Sequence, residues 1–232
     1  MYKAVVFDIG QTLVEYNKPL NWSKLYLPAL EFVANECGYV FTEDNYKHAI
    51  NILMKYNTRI NPRDYEVSSN KIFIEILSEM GIALEDTEKV KACFYSYFRQ
   101  DVSVFPEVEE TLRKLLDRKI LLGTLSDVAY GMDNVYALAD IEAIRKYIEY
   151  PFTSNDVGYR KPCAKGLLFC AEKMQIDISK LVFVGDEEKD ILCAKNAGAY
   201  AVLINRSNEA KKCGQDREIQ SLLEVVDIVD GM

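Results

Sequence analysis

Asp8, Ser126, Lys161, Asp186 and Asp190 stand at points of the 232-residue chain where a polar group is costly and therefore informative. Within KAVVFDIGQTL, four apolar residues, Ala4 to Phe7, run into Asp8 and then Gly10, the pattern of a buried central strand stopping at a carboxylate. A carboxylate leaving such a strand needs a cation, a set of hydrogen bonds or a raised pKa, so Asp8 reads as a solvated turn residue or a site residue. Two later apolar runs end in the same way, KILLGTL at Ser126 and LVFV at Gly185 and Asp186, and VGYRKP carries Lys161. If these strands are parallel neighbours, their polar ends share the edge where open parallel sheets bind ligands. Two or three carboxylates, a lysine and hydroxyls in one crevice suit Mg²⁺ with a phosphate, since Mg²⁺ takes carboxylate, water and phosphate oxygens. Asp8, Asp186 and Asp190 are the candidate ligands. Each residue also has a plainer reading: Thr12 caps the turn after its strand, Ser126 with Asp127 caps a helix, Asp190 lies exposed on a helix, and Lys161 is a loop lysine.

The elements that must position these groups follow from periodicity. Between Leu13 and about residue 100 the pattern is helical. PLNWSKLYLPALEFVANECGY, TEDNYKHAINILMKYN, SSNKIFIEILSEMG and DTEKVKACFYSYFRQ carry apolar residues three and four apart. Thr42, Ser68 or Ser69, and Asp86 or Thr87 stand at amino-terminal cap positions, and Gly38 and Gly81 at helix stops. The aromatic cluster Phe94, Tyr95, Tyr97 and Phe98 reads as the core of this block. From Phe105 onward helix and strand alternate: a helix Pro106–Arg118, a strand Lys119–Leu125, helical segments to Lys146, a strand Tyr147–Phe152, a helix Pro162–Met174, and a strand Leu181–Val184. A helix to Ala197, a strand Ala201–Ile204 and a last helix near Glu218–Val225 complete the chain. This grammar predicts an α/β fold, a Rossmann-like parallel sheet with helices on both faces, with the all-helical block inserted after strand one. The expected division is a core of residues 1–14 and 102–232 and an inserted domain of residues 15–101, with hinges near Val14–Pro19 and Phe98–Val104.

Composition narrows the function classes. Lysine and arginine number 28 against 36 acidic residues, a formal charge of −8 with no basic run, which argues against binding a nucleic-acid backbone. No apolar run is long enough for a membrane helix and the amino terminus lacks a signal-peptide pattern, so a cytoplasmic protein without a membrane partner is expected. Six cysteines without a C-x-x-C pair read as reduced core or helix residues. The single histidine, His48, reads as a helix-surface or packed residue. Acid, base or nucleophile chemistry therefore falls to carboxylates, lysine, hydroxyls or thiols.

The set D-x-x-x-T-L at Asp8, a strand ending in Ser126, R-K-P at Lys161 and G-D-x-x-x-D at Asp186 and Asp190 resembles the four motifs of the haloacid dehalogenase (HAD) superfamily. The helical insert resembles that family's C1-type cap. The resemblance implies a Mg²⁺-dependent phosphohydrolase of a small phosphorylated metabolite, working through an aspartyl-phosphate. It implies Asp8 as nucleophile, and Asp8, Gly10 (through its carbonyl), Asp186 and Asp190 around the metal. Thr12, Ser126, Asp127 and Lys161 are then expected at the phosphate. The roles agree with physics, because a carboxylate attacks a phosphate dianion only when cations offset the repulsion.

One position departs from the pattern. Phosphatases of this family usually carry D-x-D at the first motif, and here Gly10 replaces the second aspartate, the acid and base of the reaction. Such a loss costs about 10²- to 10⁴-fold in rate. Binding of phosphate and Mg²⁺ is expected to survive, and Gly10→Asp to raise turnover. Gln11 and Glu15 are nearby candidates to replace the acid. Two rival readings are a regulatory module that binds phosphate and Mg²⁺ without turnover, and a 2-haloacid dehalogenase. The inserted block should close over the sheet edge, with Arg59 and Arg63 near enough to meet an anionic substrate tail.

Overall fold

The computed structural model describes residues 1–17, 21–99, 101–207 and 211–231. The first strand, β1 (Ala4–Phe7), is fully buried, and its side chains alternate between two cores. After a tight turn comes β2 (Val14–Tyr16), then four helices: α1 (Tyr26–Cys37), α2 (Glu43–Tyr56), α3 (Ser69–Met80) and α4 (Thr87–Tyr97). Thr42 Oγ1 accepts from Asn45 N at 3.2 Å, and Ser68 Oγ from Lys71 N at 3.4 Å, which starts α2 and α3 where the caps were expected. Asp86 does not cap α4, because its carboxylate accepts from the Tyr39 hydroxyl at 2.5 Å instead. The chain returns through β3 (Val102–Val104), which pairs antiparallel with β2.

The remainder is α5 (Val108–Asp117), β4 (Leu121–Ser126), the single turn α6 (Asn134–Ala137), β5 (Tyr150–Thr153), α7 (Ser154–Val157), α8 (Lys165–Lys173), β6 (Leu181–Gly185), α9 (Glu188–Ala197), β7 (Tyr200–Ile204), β8 (Arg217–Ile219) and α10 (Glu224–Asp230). The large sheet is parallel throughout, in the order β5-β4-β1-β6-β7-β8. One face packs Val5, Phe7 and Val184 beneath α5 and α10; the other packs Ala4, Val6 and Phe183 beneath α8 and α9. This is the α/β Rossmann-like arrangement that the alternating pattern predicts.

Several expectations are corrected. Glu218 lies in β8, not in a helix; three-residue strands such as β2, β3 and β8 have no room for a visible period of two, and pairing across the chain makes them. The helical segments expected up to Lys146 are present, most of them as the 3-10 helix Leu138–Tyr147. The helix expected from Pro162 begins at Lys165, and Lys119 has φ 59° in the turn before β4, so that strand starts later.

Helices α1 to α4 share a hydrophobic cluster of their own, with Phe94, Tyr95 and Phe98 inside it. Tyr130, from the loop after β4, inserts into the same cluster. His48 is exposed on α2. Of the two segments expected as hinges, residues 14–16 and 102–104 form the β2–β3 ribbon, whereas Lys18, Pro19 and Gln100 lie outside the described residues. No disulfide joins the cysteines among the described residues, and none of those residues form a helix long and apolar enough to cross a membrane.

Candidate active site

Register brings the chemistry together. Thr124 and Val184 flank Phe7 in the sheet, so Ser126 and Asp186 leave their strands two residues beyond that row and Asp8 one residue beyond it. The Asp8 N–H donates to Val184 O at 2.9 Å, which continues the β1–β6 ladder into the site. Carboxylate oxygens of Asp8, Asp186 and Asp190 all lie within 4.8 Å of one another. Asp190 is fully buried, not an exposed helix residue; its Oδ2 accepts from Glu187 N at 3.0 Å at the start of α9. Gly185 makes that approach feasible, since a Cβ there would stand 2.5 Å from Asp190 Oδ2.

Lys161 enters this carboxylate cluster from the loop before α8. Its Nζ donates to Asp8 Oδ1 at 2.6 Å and stands 2.6 Å from Asp190 Oδ1, an ion pair off the direction of a hydrogen bond. Three carboxylates face one ammonium here. Burial raises Asp186 to about 7, with Asp8 and Asp190 adding to the shift. Burial likewise raises Asp8, against the pull of Lys161. For Lys161 burial works downward, but Asp190 and Asp8 outweigh it and hold the ammonium well above the ordinary lysine range. A cluster short of positive charge, built from hard oxygen donors at this spacing, fits a divalent cation.

Ser126, Asp127 and Lys161 line a cavity of about 1410 Å³ between the sheet edge and the helical block. Thr12 and Asp127, both expected at the phosphate, differ in their surroundings. Thr12 is fully buried and its hydroxyl has no hydrogen-bond partner among the described residues, so it is shut off from the cavity. The Asp127 carboxylate faces cations rather than an anion: its Oδ1 accepts from Lys161 N at 3.0 Å, with Lys189 Nζ 3.6 Å from Oδ2. It holds the Lys161 loop in place.

Residues 2–198 match the haloacid dehalogenase-like hydrolases. The chain belongs to that family. Over 99% of its length this HAD-like hydrolase is 24% identical to a ribulose-1,5-bisphosphate 5-phosphatase of Halopiger xanaduensis, covering 100% of that protein. It is 27% identical to a glyceraldehyde 3-phosphate phosphatase of Methanothermobacter thermautotrophicus over 99% of this chain and 96% of the other. A crystal structure of a 2-haloacid dehalogenase from Pseudomonas syringae shares the fold, with a TM-score of 0.69 and 22% identity over 100% of this chain and 99% of that one.

The HAD-like site contains residues that motif reading passed over. Arg160, beside Lys161, pairs with Glu66 of the helical block and donates to Val128 O at 2.7 Å, tying the block to the core. Tyr16 and Asp140 also line the cavity. Glu15, a candidate replacement acid, is exposed on the β2–β3 ribbon; strand alternation sends its neighbour Tyr16 to the site instead.

Proposed function

We propose that this hydrolase is a Mg²⁺-dependent phosphatase that cleaves a small phosphorylated metabolite through an aspartyl-phosphate on Asp8. The observation that carries the reading is the trio of carboxylates within 4.8 Å, with Lys161 bonded to the member at the strand end. Asp8, the Gly10 carbonyl, Asp186 and Asp190 would hold the metal. When bound, Mg²⁺ supplies positive charge to the phosphoryl oxygens and offsets repulsion between phosphate and Asp8. Ser126 and Lys161 bind the transferring oxygens, and Lys161 favours the ionised form of Asp8 against its burial. Residues 15–101 act as a cap over a core of residues 1–14 and 102–232, limiting access of water. The phosphatase relatives, acting on sugar and triose phosphates by name, favour a substrate of that size. Phosphate release from a panel of such esters, with Mg²⁺ and with a chelator, tests the reading. The regulatory rival rests on Gly10 and predicts no release even from p-nitrophenyl phosphate; the dehalogenase rival predicts chloride release from a 2-haloacid without Mg²⁺.

Metal binding has its own signature. The raised Asp186 carboxyl means that the folded protein holds this proton more tightly than the unfolded chain does. Without metal, stability is therefore lost as pH rises from the ordinary carboxylate range through about 7. Mg²⁺ competes with the same protons. Saturating Mg²⁺ is expected to raise Tm by about 5 to 10 °C near pH 8 and by less than half of that near pH 5.5, measured by calorimetry. Equal shifts at both pH values would exclude this carboxylate cluster as the metal site.

The far side of the cavity carries Arg59 and Arg63. The Arg63 side chain is 8% exposed; Nη1 donates to Tyr56 O at 2.9 Å, whereas Nε and Nη2 have no hydrogen-bond partner among the described residues. Nη2 stands 3.8 Å from Glu66 Oε1. Both nitrogens are buried, so the guanidinium would turn toward the cavity to meet an anionic substrate tail. Arg63→Ala is expected to raise KM about 10- to 100-fold for a substrate with a second anionic group, and to leave KM for p-nitrophenyl phosphate unchanged. Steady-state kinetics on the two substrates measures the difference.

A further inference from the structure

A side chain on Gly10 would have to enter space that Tyr16 already fills. A Cβ there would stand 2.9 Å from Tyr16 Cε2 and 3.6 Å from the Tyr16 hydroxyl oxygen. The Tyr16 hydroxyl, delivered by the β2–β3 ribbon, therefore lies beside the volume into which a side chain two residues after Asp8 would project. It donates to Asp140 Oδ2 at 2.9 Å, and both residues line the cavity that Ser126 and Lys161 share. Asp140 comes from the 3-10 segment Leu138–Tyr147, and Tyr16 is its hydrogen-bond partner among the described residues.

We propose that Tyr16 takes the place of the missing second aspartate, donating the proton to the leaving oxygen, with Asp140 as the proton reservoir behind it. The inference deepens the phosphatase reading and rests on it. In the first step an Asp8 oxygen bonds to phosphorus and the bond from phosphorus to the substrate oxygen breaks. With Asp140 protonated the hydrogen bond between the two reverses: the leaving oxygen takes the Tyr16 proton, Tyr16 takes the proton of the Asp140 carboxyl, and the alcohol departs. In the second step a water oxygen bonds to phosphorus and the bond from phosphorus to Asp8 breaks. The water gives its proton to Tyr16 as the Tyr16 proton returns to Asp140, and inorganic phosphate leaves. Burial raises the Asp140 carboxyl above its ordinary range, against the opposing pull of Tyr16 and Arg99, and it raises the Tyr16 hydroxyl too, with Asp140 adding to the shift, so Tyr16 relays a proton drawn from Asp140 rather than ionising on its own. The structure also revises the expected benefit of Gly10→Asp. That side chain must displace the Tyr16 ring, exchanging one proton donor for another, so the single substitution brings no gain.

The test compares kcat/KM for an alkyl phosphate, whose leaving group needs a proton, with that for p-nitrophenyl phosphate, whose leaving group does not. Tyr16→Phe and Asp140→Asn are each expected to lower the alkyl ester value about 10²- to 10⁴-fold and the nitrophenyl value less than about tenfold. Both should show a burst of nitrophenol as the phosphoenzyme accumulates. The ratio of the two esters within one preparation does not depend on the folded fraction, so a merely structural role leaves it unmoved. The double variant Gly10→Asp with Tyr16→Ala is expected to recover alkyl ester cleavage relative to Tyr16→Ala alone. An unchanged ester ratio in Tyr16→Phe and Asp140→Asn overturns the proposal while leaving the phosphatase intact. Failure of the unmutated protein to cleave either ester overturns the phosphatase reading and this proposal together.

Discussion

Asp8→Asn is expected to abolish phosphate release, lowering kcat by at least about 10⁴-fold, because a neutral amide is a far poorer nucleophile toward phosphorus than the carboxylate it replaces. The side chain is nearly isosteric, and its neighbours are fixed by the sheet ladder through Asp8 N and Val184 O at 2.9 Å. Folding should therefore survive. Replacing a carboxylate by an amide also removes one of three like charges facing Lys161, which eases the repulsion that raises Asp186. The variant should retain its thermal transition while losing turnover, with no phosphoenzyme trapped on acid quenching. Calorimetry together with a phosphate assay separates the two effects. Residual activity above about one per cent of the unmutated rate would place the nucleophile elsewhere.

Lys161→Met is the second large effect, and it falls on stability as well as rate. The ammonium sits 2.6 Å from both Asp8 Oδ1 and Asp190 Oδ1, with its side chain 2% exposed. Removing the cation leaves buried carboxylates without a partner, a loss of about 3 to 5 kcal/mol when one side of a buried pair is deleted. For a chain of this size that corresponds to a fall in Tm of about 6 to 20 °C. The sign with pH follows from the carboxylates. Without Lys161 the raised pKa values of Asp8 and Asp186 rise further, so the deficit grows as pH increases through neutrality and shrinks towards pH 5, where these two take up protons. Mg²⁺ should restore part of the loss near pH 8 by supplying charge to the same oxygens. A Lys161→Met protein whose Tm is unchanged across this pH range would show that the cluster is not held by this ion pair.

The positions of Asp8, Ser126 and Asp186 were legible because each ends an apolar run, and an apolar run that stops at a polar residue is a local property of the chain. The parallel sheet was legible for the same reason: alternating strand and helix grammar limits how the strands can stack. Asp190 was legible as a candidate ligand, but its setting was not. Its complete burial depends on Gly185 leaving room, and on α9 packing back over β6. The settings of Thr12 and Asp127 were not legible: one is sealed inside the turn, and the other lines the cavity while its carboxylate holds the backbone of Lys161.

By itself the sequence determined the family motifs, the succession of the main strands along the chain and the presence of a helical block, because these rest on residues close together in the chain. Tertiary structure alone decided what stands over Gly10. Tyr16 reaches that place because Val14–Tyr16 pairs with Val102–Val104, and Asp140 meets its hydroxyl across 124 residues of chain. Three-residue strands carry no periodic signal, and a hydrogen bond between such distant residues is set by how the ribbon and the 3-10 segment pack, which local patterns do not encode.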